Sequence, residues 1–167
     1  LTVTPGGTGI NSVDLSLASL TQVAGSGAML NISANSLGTA GSAPRIQLGL
    51  DPGLVNNILP WAVVNGADFA SYVPYATLNG VASGGLGALN QAGYAGYSQT
   101  LTGTLAGVLS SASSNLKINA GTVNFAGGPF AGGTLLLNSL NMATTVGGTL
   151  AFSNSSDLIN LTSGGLL

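Results

Sequence analysis

Apolar and polar residues alternate with a period of two in short runs along the whole chain. Leu15 and Leu17 alternate with Asp14 and Ser16, and similar runs occur at 1–4, 30–33, 46–50, 116–118, 123–125, 135–137, 140–142, 150–152 and 159–161. A strand points successive side chains to opposite faces, so this pattern predicts half-buried strands of about three to six residues. Turns rich in Gly, Asn or Ser separate them.

Nearly every window lacks the pattern of a surface helix. Such a helix needs an apolar stripe with a period of about 3.6 residues and an opposite face of Glu, Lys, Arg or Gln. Those polar residues are scarce here, and Gly interrupts most windows. The best helical candidate, 101–111, contains both Gly103 and Gly107. We therefore predict an all-β protein.

The glycine-rich turns recur with a rhythm. Gly-Gly pairs stand at 127–128, 132–133, 147–148 and 164–165. The phrases that begin at Gly132, Gly147 and Gly164 are near-copies, 15 and 17 residues apart, and 120–124 resembles them with one Gly. A short repeat cannot bury its own apolar face, so repeats stack on one another. The pattern predicts a parallel β-solenoid of short Gly/Asn/Ser/Thr-rich rungs.

The segment 56–100 departs from this pattern. It holds the one Trp and all four Tyr, and Asn65-Gly66 is a strong two-residue turn signal between apolar runs. We predict solenoid rungs over 1–55, an irregular insertion with a hairpin and a Gly/Ala-rich loop over 56–100, and further rungs over 101–167. These parts are expected to form one continuous domain that belongs to a longer chain.

The chain is poor in groups that carry out chemistry. It has no His, Cys or Glu, and its charged side chains are Asp14, Arg45, Asp51, Asp68, Lys117 and Asp157. Enzymes at neutral pH depend on groups that move protons or hold metals, and no two of these six lie within five residues of each other. We therefore expect no catalysis, no metal site and no cofactor.

The balance of charge and hydropathy excludes two further classes of protein. One Lys and one Arg cannot neutralise the phosphates of a nucleic acid. The longest apolar runs end well short of the roughly 20 residues that a spanning helix needs, so no transmembrane segment is expected. A net charge of −2 also gives the surface little electrostatic protection against self-association.

Individual charged residues have simple structural interpretations. Asp68 lies near Trp61 and Phe69, and a carboxylate beside aromatic rings is a combination found in sugar-binding sites. We favour a structural interpretation, in which Asp68 caps a turn and the two rings fill a corner of the solenoid. Asp14, Asp51 and Asp157 are too isolated for a repeat-type calcium site, so turn and cap roles are favoured for them as well. Lys117 is expected to point outward, since it lies between two apolar residues.

Three segments resemble the autotransporter-associated β-strand repeat proteins, a family of very large bacterial secreted or cell-surface proteins. They are VDLSLASLTQVAGSGAMLNIS with NSLGT at 13–39, ILPWAVVNGADFASY at 58–72, and the tail from NSLNM to SGGLL at 138–167. The middle block is the specific one, and Gln22 stands where the family often has Arg. The resemblance implies a right-handed parallel β-helix, export from the cell and no catalysis. It transfers no functional residue.

Together these observations predict a structural extracellular protein that forms a cell-surface layer or a self-assembling fibre. The expected partner is another copy, stacked end to end. An adhesin that binds polysaccharide or another surface is the alternative, and its candidate contact residues are the aromatics Trp61, Phe69, Tyr72, Tyr75, Tyr94 and Tyr97. A flat ice- or crystal-binding face is a further alternative, suggested by Thr2, Thr122, Thr134 and Thr149.

Overall fold

The regular elements of this protein are all strands in the described part of the chain. The computed structural model describes residues 1–4, 12–78, 81–102, 108, 110–119, 122–124, 133–142, 149–152 and 154–167. Its strands are β1 Asp14–Leu17, β2 Leu30–Ile32, β3 Arg45–Leu48, β4 Leu59–Val64, β5 Asp68–Leu78, β6 Val81–Ala88, β7 Gln99–Leu101, β8 Asn115–Ile118, β9 Thr122–Asn124, β10 Thr134–Asn141, β11 Thr149–Ala151 and β12 Leu158–Leu166. The all-β prediction is confirmed for these residues.

Several predicted features lie outside the described residues. They are the Gly-Gly turns at 127–128 and 147–148, the residue Phe125, and most of the helical candidate at 103–107 and 109.

The chain separates into two compact units, Leu1–Gly96 and Tyr97–Leu167. The boundary between them lies inside the predicted 56–100 segment, and the predicted division into 1–55, 56–100 and 101–167 stays a prediction. Among the described residues, no helix has the length and apolar character needed to cross a membrane.

The first unit contains a two-stranded parallel sheet, β1-β3, and a four-stranded sheet with the order β2-β4-β5-β6. The β2–β4 pair is parallel, whereas β4–β5 and β5–β6 are antiparallel. Ile32, Ile46, Leu59 and Leu86 are almost completely buried in its core. Their side chains come from strands in both sheets, so the two sheets share one apolar cluster.

The second unit is built from parallel pairs. One sheet has the order β12-β10-β8-β7 and a second pairs β11 with β9. Leu116, Ile118, Leu135, Leu137 and Leu140 form most of its core. Leu116 and Ile118 of β8, and Leu135 and Leu137 of β10, follow the period of two. Leu140 lies three residues after Leu137, beyond the register shift in β10.

The predicted hairpin is confirmed. Val63 pairs with Phe69 in an antiparallel ladder, and Asn65 and Gly66 have φ values of 55° and 63°. Positive φ at both central residues is what a type I′ turn needs. Residues near β2 also stabilise the turn. The Asn65 side chain makes two hydrogen bonds of 3.0 Å with the backbone of Ala34, and Gly66 N donates to Asn31 Oδ1 at 3.1 Å.

The prediction of a single right-handed parallel β-solenoid is wrong. The sheets are small and separate, and the four-stranded sheet of the first unit mixes parallel and antiparallel pairs. The physical reason is the turn at Asn65 and Gly66. Only three residues, 65–67, connect the paired Val64 and Asp68, whereas a parallel connection needs a crossover of a dozen residues or more. From that turn onward, β5 pairs antiparallel with β4, and β6 pairs antiparallel with β5.

The pairing of strands also does not follow the spacing of the glycine-rich repeats along the chain. The strands that follow the phrases at 132–133 and 147–148 do not pair with each other, because Thr134 pairs with Leu158 and Thr149 pairs with Thr122. Parallel partners are separated by 31 residues at Asp14 and Arg45. The spacing of the repeated glycine phrases therefore does not specify which strand lies beside which.

Gly66 provides a test of the turn. An added Cβ at this position would meet nothing within 4 Å, so a substitution there changes backbone strain without a steric clash. We expect Gly66→Val to lower the free energy of unfolding by about 1–2 kcal/mol, because a β-branched residue resists positive φ. Gly66→Asn should cost clearly less, since Asn tolerates this region. Urea unfolding of the three proteins measures the difference, and equal midpoints would contradict the assigned turn.

Candidate functional site

The six candidate contact aromatics lie in different environments. Phe69 is completely buried, while Trp61 and Tyr72 are half-buried against the core of the first unit. Tyr94 is half-buried in the same unit, and Tyr75 is 40% exposed. The sixth, Tyr97, belongs to the second unit. The described residues therefore bring no pair of exposed rings into a shared platform.

The hydroxyl groups of three tyrosines make hydrogen bonds within the fold. Tyr72 Oη donates to Leu48 O at 3.2 Å, and Tyr94 Oη donates to Gly85 O at 3.0 Å. Tyr97 Oη accepts from Asn141 Nδ2 at 2.6 Å. A buried tyrosine usually satisfies its hydroxyl in this way, so these contacts indicate structural roles for the three rings.

A cleft of the first unit with a volume of about 480 Å³ lies beside Tyr94. Its lining consists of small or neutral residues: Gly38, Thr39, Ala40, Val73, Ser83, Gly84, Ala92, Gly93 and Tyr94. No carboxylate, amine or guanidinium group is among them. Such a cleft has space for a small neutral molecule but offers no acid or base that is active near neutral pH.

Tyr94 is tightly enclosed by glycines. A Cβ added to Gly38 would collide with its hydroxyl, and one added to Gly87 would collide with its ring. Burial raises the pKa of the Tyr94 phenol far above its ordinary value, and the nearby Tyr72 adds a smaller electrostatic contribution in the same direction. The phenol is therefore neutral at physiological pH and acts as a hydrogen-bond donor to Gly85 O.

An ion pair joins two residues that are distant in sequence. Arg45 Nε donates to Asp14 Oδ1 at 2.8 Å, and the Arg45 Nη1 group donates to Gly41 O at 2.7 Å. Asp14 and Arg45 are register partners in the parallel pair β1–β3. Arg45 is 5% exposed, so the bonds to Asp14 and Gly41 compensate for its desolvation. The cap role expected for Asp14 is replaced by this pairing.

Lys117 is buried, and the prediction that it points outward into solvent is wrong. Its exposed fraction is 9%, and its Nζ atom lies 5.3 Å from the centroid of the Tyr97 ring. A cation over an aromatic face is attracted by the ring quadrupole. Alternation does place Lys117 on the face opposite Leu116, but that face is covered.

A buried amide network accompanies Lys117 on the same face. Asn115 Oδ1 accepts two hydrogen bonds of 2.7 Å, from Asn138 Nδ2 and from Ser139 Oγ. All three residues are at most 2% exposed. The sequence pattern marks Asn115 and Ser139 as members of the polar face, yet it contains no signal that this face is buried, so the network was not predicted.

Two of the four carboxylates have the turn roles that were expected. Asp51 Oδ1 accepts from Gly53 N at 2.9 Å, and Asp157 Oδ2 accepts from Asn154 N at 2.9 Å. Asp68 begins β5 directly after the hairpin turn, opposite Val64. Within the described ranges, no group of three His, Cys, Asp or Glu residues lies close enough to hold a metal ion.

Asn115 tests the buried network of the second unit. Asn115→Leu removes the Oδ1 acceptor that Asn138 and Ser139 both use, and we expect a loss of about 1–3 kcal/mol in unfolding free energy. Asn119→Leu is the matched control, because Asn119 is exposed just after the same strand. Chemical denaturation compares the two variants. Equal stabilities would show that the network contributes nothing.

Because of Tyr94, the free energy of unfolding should depend on pH in the alkaline range. The unfolded chain releases the phenolic proton as pH rises above about 10, whereas the folded chain keeps it. The free energy of unfolding should therefore be independent of this group below pH 10 and should fall as pH rises above it. Tyr94→Phe should flatten that fall and cost about 1 kcal/mol at neutral pH, through the lost bond to Gly85. Identical slopes above pH 10 would refute this account of Tyr94.

Comparisons with known proteins identify no relative. No protein-family model matches the sequence, no curated protein matches it, and no solved structure matches the chain. The resemblance to autotransporter-associated repeats accordingly stays a prediction.

Proposed function

We propose that this protein is a non-catalytic structural protein of the cell exterior, where copies associate through strand pairing into a surface layer or fibre. Its extracellular location rests on the sequence resemblance. The self-association rests on the chemistry of its surface and on its sheet edges, which the structure describes in detail.

The distribution of charge supports association. Both basic side chains, Arg45 and Lys117, are buried, so the exposed side-chain charge consists of carboxylates alone. Asp14, the most accessible member of the ion pair, is already bound to Arg45. A surface with so few charges presents little repulsion to a second copy.

The single observation that carries the proposal is the outer edge of β12. This strand has nine residues, none of them charged and none of them Pro, and no described strand pairs with its outer side. Leu158 and Leu166 are 54% and 60% exposed. Soluble proteins usually protect an edge strand with Lys, Pro or a cover, because an open edge templates pairing with another chain. Within the described ranges, the first half of β12 carries no such protection.

The placement of the aromatics favours this function over an adhesin. A carbohydrate platform needs exposed rings side by side, and the six candidates are spread over buried, half-buried and isolated positions in two units. The positions of the ionisable groups likewise favour a non-enzymatic role. Arg45, Asp14, Asp51 and Asp157 bond to partners in the fold instead of facing a shared cleft.

Association should be insensitive to salt. Backbone hydrogen bonds and apolar burial are hardly screened by ions, while charge pairs are. We expect the sedimentation coefficient of the purified protein to rise with concentration, equally at about 0.1 M and about 1 M NaCl. A protein that stays monomeric at every concentration, or oligomers that dissociate in high salt, would contradict the proposal.

A further inference from the structure

The outer edge of β12 offers backbone groups at defined positions. Leu158 N donates to Gly133 O at 3.1 Å, so the backbone groups of Leu158 face β10. Alternate residues of a strand present their N–H and C=O groups to opposite sides. The groups of Ile159 and Leu161 therefore face away from β10, and no described strand lies there.

The outer edge of β1 is open in the same way. Arg45 N donates to Val13 O at 2.8 Å, and Gly49 N donates to Leu17 O at 2.9 Å. The backbone N–H and C=O groups of residues 13, 15 and 17 thus face β3. The backbone groups of Asp14 and Ser16 face outward, where no described strand pairs with them.

These two edges are complementary in register. In a parallel ladder, a residue whose backbone groups face the neighbouring strand lies opposite a residue whose groups face away. This rule permits Ile159 to lie opposite Leu15 and Leu161 opposite Leu17, and this choice overlaps 158–161 with the whole of β1. The side chains also agree, because both segments alternate exposed and half-buried positions in the same order.

The chain already uses this alignment on the inner side of each edge. Leu135 pairs with Ile159 and Leu137 with Leu161 in β10–β12, while Leu15 pairs with Ile46 in β1–β3. A β12–β1 pair would therefore extend existing columns of apolar side chains, with a leucine or isoleucine at every step.

The length of the contact is also set by the structure. The register between β10 and β12 shifts after Leu137 and Leu161, which places a bulge in the second half of β12. A bulge disrupts the ladder and discourages further pairing. The regular part, 158–161, has four residues, which is the length of β1.

We propose that β12 of one copy pairs in parallel with β1 of the next copy, with Ile159 opposite Leu15 and Leu161 opposite Leu17. This inference rests on the proposed self-association and names its interface. The contact is heterologous, since each copy uses a different strand on each side. Repetition of such a contact generates an open filament or a closed ring.

Disulfide trapping tests the register, because the chain has no native Cys. In the proposed pair, Ser16 and Asn160 lie opposite each other, both exposed. Their Cα atoms would be about 4.8 Å apart, within the usual disulfide range of about 4.4–6.8 Å. Mixing the single variants Ser16→Cys and Asn160→Cys under mild oxidation should give a covalent dimer, and separate variants exclude links inside one copy.

A shifted pair provides the matched control. In a mixture of Leu158→Cys and Ser16→Cys, the two cysteines would lie two residues, or about 7 Å, apart along the strand direction. This mixture should form far less disulfide-linked dimer. If the protein associates by sedimentation but Ser16 and Asn160 do not link in preference to the shifted pair, the β12–β1 interface is refuted while self-association stands. If no association occurs at any concentration, the proposed function itself fails.

A proline substitution tests the same edge without cysteines. Ser16→Pro removes an N–H that faces outward, so the pairing of β1 with β3 keeps its hydrogen bonds and the melting temperature should stay close to that of the parent. Self-association should weaken by about tenfold or more, from the lost hydrogen bond and the ring placed in the seam. Ser16→Thr, which keeps the N–H, should associate like the parent. Undiminished association of a folded Ser16→Pro variant would overturn the proposal.

Discussion

Parallel strand pairing in a fixed register is the constraint on which the rest of this structure depends. Most strands have only three to six residues, so such a strand alone buries little, and its backbone groups need a neighbour to bond with. Once Leu15 is aligned with Ile46, the adjacent pair Asp14 and Arg45 is aligned as well. The same alignment of Leu116 with Leu140 places Asn115 beside Ser139. Apolar columns and polar contacts thus come from one geometric choice.

Polar residues contribute to this fold mainly as internal connectors. Asn115 links two strands of the second unit, and Asn65 links the hairpin turn to the backbone of Ala34. A buried amide such as that of Asn115 stabilises only when both partners are present, because an unpaired buried donor or acceptor is costly. Networks of Asn and Ser therefore fix the register in regions where apolar side chains alone would permit a slip.

The sequence predicted local features well and pairings poorly. Alternation located most strands, and Asn65-Gly66 located the hairpin, because both depend on neighbouring residues. The pair Asp14–Arg45 spans 31 residues, and nothing near either residue announces the other. Lys117 shows a second limit. Alternation assigns side chains to the two faces of a strand, yet whether the polar face is covered depends on other elements, here including Tyr97. For the same reason, the aromatics of one segment proved to be spread over separate environments.

The burial of both basic residues has a consequence for resistance to proteolysis. Trypsin-like proteases cut after Lys or Arg, and this chain of 167 residues contains one of each. Arg45 and Lys117 lie within strands β3 and β8 and are 5% and 9% exposed. A protease must wait for each strand to leave its sheet before it can bind an extended segment there. The pairing that organises the fold therefore also hides the two bonds at which such enzymes would cleave it.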